Sequence, residues 1–164
     1  SGSQLANALD RFDVRFLLVE GDQDKSDPVC PEDLIAGLAC SSEARLRLAL
    51  IPLFLRQPQL GVLAQAVVKK IPQTAQVTLQ CYYCAAYYLQ KKYFRQLEKS
   101  FGRQTSLPPL FLEQMGLSAE GEVEEALVAL AREQQLLTGR LINWRGTYQH
   151  AVQRLLSRGE CEMA

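Results

Sequence analysis

Histidine occurs once in this chain of 164 residues, at His150, and tryptophan once, at Trp144. A single imidazole excludes a histidine-rich metal site, and any Ser-His-Asp or Cys-His arrangement would have to use that residue. Net charge is missing as well, because eighteen lysines and arginines face eighteen aspartates and glutamates. No overall field therefore gathers nucleic acid or anionic lipid, and any such attraction has to be local. No apolar run approaches the roughly 20 residues needed to cross a bilayer, so no membrane partner is expected. A charged start followed by an apolar stretch of signal-peptide type is absent too, and the expected compartment is the cytoplasm. The opening "SGS" looks like a cloning remnant and enters no argument. Phosphate-cradling glycine loops, the dinucleotide-binding fingerprint, H-E-x-x-H and the nucleophile elbow do not occur, and no small-molecule cofactor is expected.

What is present is the composition of a folded domain: 48% apolar and 22% charged residues favour one hydrophobic core over disorder. Five cysteines, Cys30, Cys40, Cys81, Cys84 and Cys161, are an odd number for a disulfide framework. "CYYC" has redox or zinc spacing, but it falls inside a helical pattern without a preceding strand or a second ligand pair. Packing cysteines and no metal are the expectation.

Strand signals are scarce. "DVRFLLVEG" ends in a glycine and a turn-rich "DQDKSDP", and reads either as an extended segment near residues 13–20 or as the last turns of a helix begun at "QLANALDRF". From Pro31 the pattern is helical. "PEDLIAGLA" has proline at its first position and acids in its first turn. "SSEARLRLALIPLFLRQ" offers serine caps and a break just before Pro52. "PQLGVLAQAVVKKI" follows, with some flavour of a HEAT-like hairpin between Ile51 and Pro72, though no unit repeats at a fixed period. The longest helix is expected from about Thr74 to Phe101, with Tyr82, Ala86, Leu89, Tyr93 and Leu97 on one face. "SLPPLFLEQMG" reads as a loop with a turn or two of helix. "SAEGEVEEALVALAREQQLLTG" is a helix ending at its glycine, and Asn143 caps a last helix from Trp144 to about Ser157. The fold class is all-α, a single bundle of about six helices. Residues 1–30 form a poorly defined N-terminal segment, 31–158 the bundle and 159–164 a flexible tail.

The acidic group Glu120, Glu122, Glu124 and Glu125 is explained by its place at a helix start. "WRGTYQH" carries more interest. Arg145 and His150 could cleave RNA without metal, the histidine moving protons near neutral pH and the arginine holding the phosphate. Arginine, four residues, then histidine resembles the motif of HEPN domains, helical bundles of which many are ribonucleases acting as dimers. The tyrosine-rich "CYYCAAYYLQKKYF" is similar to helices those bundles carry. The family commonly has a polar residue such as asparagine after the arginine, where this chain has Gly146. The alternative is a helix start with an amphipathic His150 beside Tyr148.

A second resemblance spans more residues. "SSEARLRLALIPLFLRQP" and "AQVTLQCYYCAAYYLQKKY" resemble small helical bacterial proteins paired with nucleotidyltransferases in toxin–antitoxin-like systems. "VRFLLVEG" resembles the first strand of such transferases, yet no Gly-Ser signature or carboxylate pair follows it. The resemblance thus implies the partner and not the transferase. RNA contact would draw on Lys91, Lys92, Arg95, Tyr148 and Arg154, within two basic stretches interleaved with tyrosines. A helix-turn-helix DNA binder fits less well, because "LLTGRLINW" is a longer and more apolar turn than that motif prefers. The leading expectation is a non-catalytic interaction protein that binds a protein partner or itself through an apolar helix face. The runner-up is a ribonuclease using Arg145 and His150. In a ribonuclease both side chains share an exposed cleft; in an interaction protein His150 is buried or isolated.

Overall fold

The computed structural model describes residues 30–163 and is all-α. The expected N-terminal segment, with its helix or extended stretch near residues 13–20, lies outside the described residues. Helix α1 (Pro31–Cys40) starts as its sequence predicts, with Pro31 at the first position and Glu32 and Asp33 in the first turn. Cys30 caps it through its sulfur, which accepts from the Asp33 amide at 3.5 Å.

The next apolar stretch is broken into α2 (Ala44–Leu48) and α3 (Leu50–Arg56). Pro52 accounts for the break at Ala49. It has no N–H for the Leu48 carbonyl and its ring crowds that oxygen. The serines do not cap α2 as expected: Glu43 stands at the cap position, and Ser41 Oγ instead accepts from the Glu43 amide at 3.1 Å. Pro58–Leu63 winds as a 3₁₀ helix before α4 (Ala64–Val68).

Helix α5 (Gln73–Lys92) continues after a bend at Tyr93 (φ −111°, ψ 23°) into α6 (Phe94–Phe101). The expected long helix is therefore two pieces. The expected single apolar face is also an understatement, since every residue from Cys81 to Gln90 is buried. Helices α1, α3 and α4 pack around α5, and so do α7 (Val123–Thr138) and α8 (Trp144–Met163). A helix apolar all round belongs in the middle of a bundle. Its run from Cys81 to Gln90 carries no charge, which permits that position.

Gly139 ends α7 in the left-handed conformation (φ 67°), as its place after the helix predicts. Helix α8 runs on to Met163, past the expected end near Ser157. Gly159 lets it lie close against α6, where a Cβ would sit 2.7 Å from the Phe101 ring and 2.8 Å from Ser100 Cβ.

Candidate functional site

The start of α8 is built by Asn143, whose Oδ1 accepts from the Gly146 amide at 3.0 Å. This cap explains Gly146: a Cβ there would lie 2.6 Å from Asn143 Nδ2 and 3.0 Å from its Cγ. The polar residue common after the arginine in HEPN motifs would displace the cap.

Arg145 and His150 do not converge. Five residues turn a helix by about 140° beyond a full turn, so the two side chains leave α8 in different directions. His150 is exposed and forms no hydrogen bond or ion pair with the described residues. Arg145 is largely withdrawn from water, its side chain 26% exposed, and is tied to Glu124 through Nη2. Its Nη1 donates to Gln149 Oε1, one turn along, at 3.2 Å.

Lys92 joins the same network. Its Nζ pairs with Glu124, donates to Gln149 Oε1 at 3.3 Å and lies 5.2 Å from the Tyr93 ring centre. Gln149 Nε2 donates in turn to the Tyr93 hydroxyl. Two cations, one carboxylate, an amide and a phenol thus join the end of α5 to the starts of α7 and α8. The hydrogen bonds from Lys92 and then from Arg145 hold the Glu124 carboxyl below its ordinary pKa. The arrangement is a crosslink between helices, and Glu124 has a partner on each side.

The other residues expected to meet RNA are scattered. Lys91 donates to the Ala119 carbonyl at 2.8 Å, with its Nζ 4.6 Å from the Tyr87 ring centre. Arg95 and Arg154 are exposed on α6 and α8. Tyr148 is fully buried and its hydroxyl donates to Gln134, so its ring has no face for a base. Burial is the main reason its phenol pKa is pushed up.

The tyrosines of "CYYCAAYYLQ" have a structural use that spacing does not reveal. One side of α5 holds the segment 102–122, whose backbone is mostly outside helices and needs partners. Gln90 makes two of these bonds, its Nε2 donating to the Thr105 carbonyl and its Oε1 accepting from the Leu107 amide, each at 2.8 Å. Tyr83 donates to the Pro108 carbonyl at 2.6 Å and Cys84 to Leu110 at 3.6 Å. On the way back, Tyr88 donates to the Ser118 carbonyl at 2.7 Å. Phe111, whose φ of 67° is rare for a bulky residue, is anchored with its ring 5.5 Å from that of Tyr83.

Cys81 and Cys84 are buried and unbridged. Burial, with a smaller push from Glu133, raises the Cys81 thiol to about 12, and burial raises Cys84 as well. Protonated thiols are poor nucleophiles and poor metal ligands. Among the described residues no group of three His, Cys, Asp or Glu is placed to hold a metal ion.

The feature that sequence reasoning passed over lies at the corner between α7 and α8. Leu136 is 72% exposed, Leu137 46%, Leu141 89% and Ile142 41%, and Val128, about two turns earlier on α7, is 46% exposed. Four large apolar side chains within seven residues form a patch, unlike the single exposed leucines that surfaces tolerate. The signal was visible in "LLTGRLINW", an over-apolar turn between two helices. No helix among the described residues is long and apolar enough to cross a membrane. No family model, curated protein or solved structure matches this chain.

Proposed function

We propose that this chain is a non-catalytic helical interaction protein, and that it docks a protein partner on the α7–α8 corner. The observation that carries this reading is the outward display of Leu136, Leu137, Leu141 and Ile142. Leaving a leucine in water forfeits about 1.5–3 kcal/mol of burial, so four together are a cost that a partner's apolar surface recovers. The partner class follows from the resemblance to proteins paired with nucleotidyltransferases. The test is co-expression with a nucleotidyltransferase of the toxin–antitoxin type, followed by gel filtration. A joint peak that vanishes for Leu136→Asp/Leu141→Asp, with helicity unchanged, supports the reading. Separate elution, or a complex indifferent to those substitutions, overturns it.

The ribonuclease reading has one observation in its favour, the exposed His150 on a stretch without acids from Gln134 to Gly159. Against it stands Arg145, whose guanidinium is engaged by Glu124 and Gln149. Incubation of labelled mixed-sequence RNA with the protein in EDTA is expected to leave the RNA whole. Cleavage that disappears in His150→Ala would reverse the order of the two readings.

A further inference from the structure

The outer face of α7 carries a pattern that reaches back from the corner along the helix. Glu125, Val128, Ala129, Arg132, Gln135 and Leu136 recur at steps of 3, 1, 3, 3 and 1, one stripe of a helix, and all six are exposed. The opposite side of α7 faces the core through Leu127, Leu130 and Gln134.

Two charges on this stripe have no counterpart in the chain. A side chain on a helix meets those three and four positions away. For Arg132 these are Val128, Ala129, Gln135 and Leu136, and for Glu125 they are Gly121, Glu122, Val128 and Ala129. Other helices supply nothing either: neither residue takes part in an ion pair or side-chain hydrogen bond among the described residues. The adjacent Glu124, by contrast, is held by Lys92 and Arg145.

The stripe is complementary to itself. Glu125 stands three residues before Val128, and Arg132 three residues after Ala129. A second α7 laid antiparallel, with a two-fold axis between Val128 and Ala129, sets Glu125 of each chain opposite Arg132 of the other. Ala129 keeps the centre thin enough for two helices to approach, and Val128 meets it across the axis. Leu136 falls opposite Gly121, which has no side chain to obstruct it. A parallel pairing would instead set glutamate on glutamate and arginine on arginine.

We propose that a second copy of this chain docks antiparallel on the outer face of α7, through Val128, Ala129 and two Glu125–Arg132 ion pairs. One helix pair covers less than the roughly 800 Å² per partner of a standard interface, so the dimer is a weak one, formed in the micromolar range.

The test is sedimentation equilibrium of the full chain across the micromolar range, beside the variants Glu125→Arg and Arg132→Glu. The wild type is expected to show a monomer–dimer equilibrium. Either reversal alone sets like charges opposite one another and should weaken association by at least about tenfold. An equimolar mixture of the two variants sets every arginine opposite a glutamate again, and should associate as the wild type does. A wild type that stays monomeric, a dimer indifferent to the reversals, or a mixture that does not associate overturns the proposal. Should either single variant lose helicity by circular dichroism, Glu125→Arg/Arg132→Glu decides in its place, since its pairs are again opposite in sign and its failure to dimerise has the same meaning. The reversals leave Leu136 and Leu141 in place, so failure here does not touch the nucleotidyltransferase experiment, and failure there does not touch this one.

Discussion

Gln90 satisfies two backbone groups of the neighbouring segment from inside the core, so its loss is felt twice. Gln90→Ala strands the buried Leu107 amide while water can reach the carbonyl of exposed Thr105, and urea unfolding is expected to show a loss of about 1–3 kcal/mol. Tyr83→Phe removes one hydroxyl bond and should cost about 1 kcal/mol in the same measurement. Glu124 makes a different prediction, in acid. Its folded pKa lies below its unfolded value, so its contribution is complete above the unfolded value of about 4.3 and fades as pH falls through the folded one. The stability gap between the wild type and Glu124→Gln, followed by thermal melts, should be present at pH 7 and close progressively below about pH 4. A gap that persists unchanged to pH 2 would mean that the crosslink to Lys92 and Arg145 contributes nothing through charge. Thiol labelling is the check on "CYYC": Cys30 and Cys40 should react in the native protein, and Cys81 and Cys84 only after unfolding.

At the scale of elements, the central helix α5 organises the rest. Its far side receives α7 and α8, with the Tyr82 and Trp144 rings 6.5 Å apart, while its near side holds the segment 102–122. Gly61 belongs to the same seam. A Cβ there would come within 2.8 Å of Leu107 Cδ2, 3.1 Å of the Tyr83 hydroxyl and 3.3 Å of Pro108 Cδ. Gly61→Ala therefore pushes the held segment from α5 and is expected to destabilise by about 1–3 kcal/mol, with faster amide exchange at residues 105–110. Wild-type exchange there would show that the segment gives way without leaving the helix. The helix boundaries were legible where they follow local chemistry: Pro31, Pro52, Gly139 and Asn143 mark starts, breaks and ends through their own dihedrals and bonds. The bend at Tyr93 was not. No proline or glycine marks it, and the Gln149–Tyr93 bond links it to a helix more than fifty residues away.

For the whole molecule, the bundle is expected to be indifferent to its exposed corner and sensitive to its seams. Leu136→Asp/Leu141→Asp replaces side chains that fold into contact with water, so stability should move by no more than about 0.5 kcal/mol per site while partner binding is lost. A large loss of stability would mean that the corner is packed in the folded chain and is no open docking surface. His150→Ala should likewise leave stability unchanged, since the imidazole is exposed on α8.

The candidate site was only half legible. Arg145 and His150 could be singled out as residue types, and "LLTGRLINW" was visibly too apolar for a turn. The pairing of Glu124 with Lys92 and Arg145 could not be read, because it joins three helices distant along the chain. Composition, the 3.6-residue pattern and the caps determined that this chain is a helical bundle, because those signals act within a few residues of one another. Which tyrosines bury, which arginine is occupied and which leucines face water were decided only by how the helices pack. Each depends on partners that sequence spacing does not bring together.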